Sequence, residues 1–349
     1  MKNIYFFGRF PAYKQVGGVT TFTYNFSFKY KANNLLTVDL YPAEGKIVPN
    51  GARWLQFKGG VINRLLEFYK FHFINEGIYF FNFSSIRSIL LLYFMPKKAE
   101  STWFAIFHNG EQEKIFRELN FVQKHIVKRG VGRLDALGCL SEKQSSFFET
   151  IYKGKFYKVS PYIPLGINNE FQGHKRKVDA PIRMLITGFP TAIYRILETL
   201  DVLEKLWSKG YSFELNVCLY GFDTDDLLLA IKNKVKELSK AKISMHLDDK
   251  QFSKILDNTD LYLRLNSVDS YGLVVAEAID RNIDVLATNV CERFPGTVLV
   301  NVDDFVTVYN ELIFYFENEK FSDELQIQAV ASDQVDYALL IKDLEEKSY

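Results

Sequence analysis

The chain has 349 residues, a formal net charge of +1 and 48% apolar residues. That length exceeds one ordinary core and suits two domains, while the balanced charge removes the electrostatic basis for a nucleic-acid partner. Cys139, Cys218 and Cys291 form no C-x-x-C pair, so they read as reduced thiols of a cytoplasmic protein and not as a disulfide framework or a zinc site.

The opening MKNIYFFGRF reads as a first buried strand; its apolar run is too short and breaks too early for a secretory signal. Continuous apolar runs predict strands over Asn3–Gly8, Leu35–Leu40, Gly77–Phe83, Thr102–His108, Ala136–Leu140 and Tyr157–Ile163. Helical periods fall between them, over Thr20–Ala32, Val61–Ile74, Ser84–Met95, Glu111–Leu119 and Glu142–Tyr152, the last with a capping box from Ser141 to Gln144. Runs without polar alternation suit a parallel sheet covered on both faces. The longest apolar stretch, IRSILLLYFMP, falls short of the ~20 residues that span a membrane.

The alternation pauses at Pro164–Pro181, a polar, glycine- and proline-bearing stretch that reads as a linker, with His174–Lys177 as its solvated face. It resumes with strands over Ile182–Gly188, Phe213–Tyr220, Lys242–His246, Leu261–Leu265, Ile283–Ala287 and Val298–Val300. Helices are predicted over Ile193–Ser208, Asp225–Leu238, Gln251–Leu256 and Leu273–Ile279, and a last one over Asp333–Lys347. The expected fold class is α/β: two tandem Rossmann-like, doubly wound domains, residues 1–165 and 176–332, facing a central cleft. Residues 333–349 would then pack back on the first domain.

The stretch DSYGLVVAEA places Asp269, Ser270, Tyr271 and Gly272 in the loop between a strand and the helix Leu273–Ile279. Ligands of open α/β sheets sit at such loops. The free amides of Leu273 and Val274 suit phosphate, and Glu277 can take two ribose hydroxyls. Asp269 would face whatever the far phosphate carries, so a nucleoside diphosphate sugar satisfies all three features. The alternatives are a surface carboxylate paired with lysine at Glu277 and plain helix capping by Asp269 and Ser270. Arg264, in an apolar strand, demands an anionic partner on any reading.

An acidic residue and a Glu with seven residues between them, around G-L-V-V and followed by VLATNVCERFPGT, resemble the retaining glycosyltransferases of the GT-B fold, family 4 in particular. The resemblance is strong over about residues 255–300. It implies a metal-independent transfer from a nucleoside diphosphate sugar, UDP-sugar favoured, to a glycan or lipid-linked acceptor in bacterial cell-surface polysaccharide synthesis. It implies that Asp269, His108 and Arg264 are catalytic. Gly17, Gly18, Arg195, Ser270, Tyr271, Gly272, Leu273, Glu277 and Arg293 would bind the donor. VGGVTTF is similar to the family's glycine loop, FAIFHNGE ends on its histidine, and PLGIN resembles its segment into the second domain. The family's basic pair after the first strand of domain two is reduced here to Arg195 in GFPTAIYR.

Other readings stay open. His108 could be a turn histidine and Arg293 a loop residue at the surface. Asp223–Asp225 fits helix capping better than a metal, and no cofactor is expected. RLLEFYKFHF is a core helix with a wet face, or a peripheral membrane contact aided by Arg64 and Lys70. The rival functions are a nucleotide-sugar epimerase of the same architecture and a non-catalytic binding or scaffold subunit. A hydride-transferring enzyme lacks its G-x-G-x-x-G.

Overall fold

The structure is a computed structural model and describes residues 2–12, 17–31, 34–164, 180–221, 226–329 and 335–346. Residues 165–179 of the linker expected over Pro164–Pro181, and the Asp223–Asp225 motif, lie outside these. The chain forms two units, Met1–Leu165 with Ser332–Tyr349, and Gly166–Ala331.

In the first unit seven parallel strands run in the order β3-β2-β1-β4-β5-β6-β7. They are β1 Ile4–Gly8, β2 Leu35–Asp39, β3 Trp54–Gln56, β4 Ile78–Phe83, β5 Thr102–Phe107, β6 Ala136–Cys139 and β7 Lys155–Lys158. β1, β4, β5 and β6 are buried along their whole length, as their unbroken apolar runs require. One face is covered by α1 (Gly18–Lys29) and α12 (Tyr337–Glu346), whose Phe22, Phe26, Tyr337, Leu340 and Leu344 pack on Phe6 and Phe80. The other face carries α2 (Val61–Ile74), α3 (Ile89–Tyr93), α5 (Phe121–Val131) and α6 (Glu142–Glu149). α4 (Gln112–Glu118) runs between β5 and α5. The aromatic richness is spent in this core, where the Phe7 and Tyr79 rings stack 5.7 Å apart.

In the second unit the order is β10-β9-β8-β11-β12-β13-β14, parallel except for the last pair. The strands are β8 Ile182–Gly188, β9 Phe213–Leu219, β10 Ala241–Met245, β11 Leu261–Arg264, β12 Asp284–Thr288, β13 Val298–Val300 and β14 Gln326–Ile327. α7 (Ile196–Ser208), α8 (Asp226–Glu237) and α11 (Phe305–Asn318) cover one face, and α9 (Asp249–Leu256) and α10 (Leu273–Ile279) the other. Both units are Rossmann-like, each with a switch in strand order, between β1 and β4 and between β8 and β11.

Several elements depart from expectation. β3, α5, α11 and β14 are additions. The helix expected over Ser84–Met95 is a 3-10 turn, Ile86–Ser88, followed by the short α3. The strand expected over Tyr157–Ile163 begins earlier and ends at Lys158, since the following segment meets Pro161 and Pro164.

Candidate functional site

In the second unit the carboxyl ends of β8, β11 and β12 gather a buried charge cluster. Arg264 closes β11; its Nε donates to Asp269 Oδ2 at 2.9 Å and its Nη1 to the Thr187 carbonyl at 3.4 Å. The Tyr194 ring lies against this guanidinium, 5.0 Å from ring centre to Cζ. With its amide oxygen turned to the guanidinium, Asn266 accepts from Nε and Nη2 at 3.1 Å each. Arg293 reaches the same carboxylate from the loop after β12, Nη1 donating to Asp269 Oδ2 at 2.7 Å and to the Tyr271 carbonyl at 3.1 Å. Its Nε donates to the Thr288 carbonyl at 3.1 Å. The Arg293 side chain is 0% exposed, and those of Arg264 and Asp269 are 11% and 10%.

These contacts set the electrostatics. Burial pushes the Asp269 carboxyl up, but the adjacent Arg264 and Arg293 charges overcome it and hold the carboxyl well below the usual range. Burial likewise opposes the Arg264 charge, and Asp269 reverses that and raises it. Among the described residues, two arginines share this one carboxylate, so their direct contacts leave one positive charge unmatched. Burial raises the nearby Cys291 thiol to about 11, against the opposing Arg293 charge, which leaves it a poor nucleophile.

Local chemistry explains the loop. Gly272 has a φ of +80°, and a Cβ there would stand 2.9 Å from Arg293 Nη1, so both backbone and packing demand glycine. A Cβ at Gly188 would stand 2.2 Å from the Tyr194 ring, so that glycine seats the aromatic beside Arg264. The Ser270 amide donates to Asp269 Oδ1 at 3.0 Å, and Tyr271 is buried. Leu273 and Val274 open α10, and their two amides precede the first intrahelical bonds, which run from Val275 and Ala276 to the Gly272 carbonyl. Glu277 is half-buried on the same helix, and its main-chain carbonyl accepts from Arg281 Nη1 at 2.9 Å.

The other two arginines of the motif reading are held by the chain's own groups. Arg293 is no surface loop residue and does not reach solvent in this structure; its guanidinium is spent on holding Asp269 and the 271 and 288 carbonyls. Arg195, at the left-handed position before α7, pairs with Glu198 at 2.9 Å and with Asp303. The hydrogen bond that Arg195 Nη1 donates to Glu198 Oε1 leads the causes that raise its pKa.

The first unit has its own polar cluster beside its switch point. His108 follows β5, is buried, and has its pKa lowered to about 3 by burial. Its Nε2 lies 2.5 Å from Asn82 Oδ1 on β4. The Asn82 amide donates to the Val19 carbonyl at 3.0 Å and to Thr23 Oγ1 at 2.9 Å, tying β4 to α1. Gly17 and Gly18 open that helix and are exposed. A Cβ on Gly17 would meet nothing within 4 Å among the described residues, so the chain's own packing does not explain that glycine.

Asn82 and Tyr194 were missed from sequence. Asn82 had a usable signal, a lone amide inside the apolar run YFFNF. Tyr194 had none, because its role depends on Gly188 and Arg264 converging in space. Among the described residues no group of three or more His, Cys, Asp or Glu is arranged to hold a metal ion.

No protein-family model and no curated protein matches the sequence. Solved structures do match over both units. TarM aligns with a TM-score of 0.69 at 10% identity, over 100% of this chain and 94% of the other. HepE of Anabaena in complex with UDP-glucose gives 0.62 at 10% identity, over 100% and 98%. The lipopolysaccharide outer core galactosyltransferase WaaB gives 0.60 at 12%, over 99% and 95%. The chain thus has the two-Rossmann-domain fold known as GT-B.

Proposed function

We propose that the chain is a retaining glycosyltransferase that takes a nucleoside diphosphate sugar, a UDP-sugar first, and works without a metal. The fold narrows the class, and WaaB and UDP-glucose-bound HepE share it. The observation that carries the reading is the Arg264–Asp269–Arg293 cluster at the carboxyl edge of the second sheet. Its unmatched positive charge suits a departing diphosphate, held ready before the reaction in a dry setting. Arg264 is the cation nearest the sheet edge. Arg293 acts through Asp269 as a strut, which departs from the direct diphosphate contact implied by the motif. Glu277 takes the ribose hydroxyls, and Asp269 orients Arg264 and the donor sugar. A glycan or lipid-linked acceptor completes the reaction.

The test is a thermal-shift titration with UDP, GDP and ADP, followed by product analysis. A bound nucleotide at a hundredfold excess over its Kd raises stability by about 2.7 kcal/mol. Sugar transfer with the anomeric configuration kept supports the proposal. Turnover of the nucleotide sugar without an acceptor supports the epimerase instead, and no nucleotide binding at all supports the scaffold.

A membrane-bound acceptor has its own supporting observation in α2. Phe68, Phe71 and His72 face the core. Ile62, Leu66, Tyr69 and Phe73, spaced by four, three and four, make a second apolar stripe toward solvent. Ile62 is 74% and Phe73 63% exposed. Exposed Lys70 stands on the helix and exposed Lys58 beside it, its amide donating to Glu67 Oε2 at 3.2 Å, and the two cations suit an anionic lipid surface. Arg64 is not part of it, because its Nη1 is turned inward to the Leu40 carbonyl at 2.8 Å. Among the described residues no helix is long and apolar enough to cross a membrane.

A further inference from the structure

We infer that Asn82 is a positioning residue that holds His108 as the Nε2-protonated neutral imidazole, so that His108 meets its ligand as a hydrogen-bond acceptor at Nδ1. It therefore selects a hydroxyl and turns away a phosphate. The argument starts at Thr23. Its hydroxyl proton goes to the Val19 carbonyl at 2.9 Å, so Thr23 Oγ1 faces its other neighbours as an acceptor, and it takes the Arg9 amide at 3.2 Å. The Asn82 nitrogen lies 2.9 Å from that oxygen and 3.0 Å from the Val19 carbonyl. Two acceptors on one side require the NH2 end there, which fixes the direction of the amide.

The opposite end, Oδ1, then faces His108 Nε2 at 2.5 Å. Two lone pairs repel at that distance, so Nε2 carries the proton. A neutral imidazole has one N–H, and the second nitrogen must be a lone pair. Burial keeps the ring neutral, with its pKa down to about 3. Nothing in the reaction chemistry is needed for this chain of contacts. It runs from α1 through β4 to the end of β5, all within the first unit.

The ligand consequence rests on the transferase reading, where the hydroxyl belongs to the donor sugar. A hydroxyl donates to Nδ1, whereas a deprotonated phosphate oxygen would set lone pair against lone pair. The same ring in the other tautomer, or as imidazolium, would favour the anion.

The experiment is imidazole 15N NMR on the full, ligand-free chain labelled at its five histidines, with His108→Gln to assign the signal. The expected spectrum has a protonated Nε2 and a bare Nδ1, unchanged between about pH 5.5 and 8.5. A protonated Nδ1, or a titration within that range, overturns the inference. Asn82→Ala should let the tautomers mix and raise KM for the nucleotide sugar about five- to tenfold, with the UDP Kd kept within about twofold. An unmixed ring and an unchanged KM would remove Asn82 from the role. Should Asn82→Ala fail to fold, the wild-type spectrum still decides. Absent UDP binding would sink the transferase reading and leave the tautomer result standing.

Discussion

Replacing Asp269 by asparagine removes a charge that two buried arginines share. Arg264 and Arg293 lie 2.9 and 2.7 Å from the same oxygen, with side chains 11% and 0% exposed. An asparagine fits the space but leaves both cations without a counter-charge, and breaking a buried pair in this way costs about 3–5 kcal/mol. For a unit of this size each kcal/mol moves Tm by about 2–4 °C, so the unfolding of the second unit should fall by roughly 6–20 °C. Differential scanning calorimetry at neutral pH would measure it, with Asp303→Asn, a more exposed partner of Arg195, as the control. Acid supplies a second arm. The Asp269 carboxyl is depressed in the folded state, so its contribution is full above the unfolded value of about 3.9 and is lost as pH falls through the folded one. The gap between wild type and variant should therefore narrow below about pH 4. A Tm for Asp269→Asn within about 1 °C of wild type at pH 7 would refute the shared-carboxylate account.

Gly272→Ala forces a side chain into a left-handed backbone and toward Arg293 Nη1; a loss of about 1–3 kcal/mol in chemical denaturation is expected. Glu277→Ala should weaken UDP binding by about 1.5–3 kcal/mol in isothermal titration, with Tm little changed, if it holds the ribose. Turnover should survive excess EDTA, and full loss with rescue by manganese would bring Asp223–Asp225 back into consideration. The chain should float with anionic liposomes at low salt; Ile62→Glu with Phe73→Glu should abolish this, Lys70→Glu reduce it, and Arg64→Glu add nothing through lost lipid contact.

Much of this architecture was legible because parallel strands buried on both faces leave unbroken apolar runs. Ile182–Gly188 and Val298–Val300 fall where their composition puts them, and Val61–Ile74 and Leu273–Ile279 keep their helical period. The two missed long helices have blurred periods. In α5 the exposed Phe121 and Val122 sit off the buried face of Val127, Gly130 and Val131. In α11 the sequence FVTVYNELIFYFEN mixes β-branched and aromatic residues so densely that no stripe stands out. Within the candidate site, the spacing from Asp269 to Glu277 can be read along the chain. The site was not legible where residues meet through the fold: Arg293 reads as a loop arginine until Asp269, Tyr271 and Thr288 close around it.

In the proposed reaction the two ends of the donor need opposite surroundings. The diphosphate leaves with negative charge, and only fixed cations or amide dipoles can stabilise it without a metal. The sugar is neutral, and it is recognised through hydrogen bonds to its hydroxyls. Among the described residues each unit has a polar cluster next to its switch in strand order, and these two differ in kind. The second unit assembles arginines around one carboxylate. The first assembles an amide, a hydroxyl and an imidazole that burial keeps uncharged. Charge reversal and charge removal should consequently act on different steps. Substitutions around Arg264 should move UDP affinity and leaving-group departure, whereas those around Asn82 should move discrimination among sugars carried by one nucleotide.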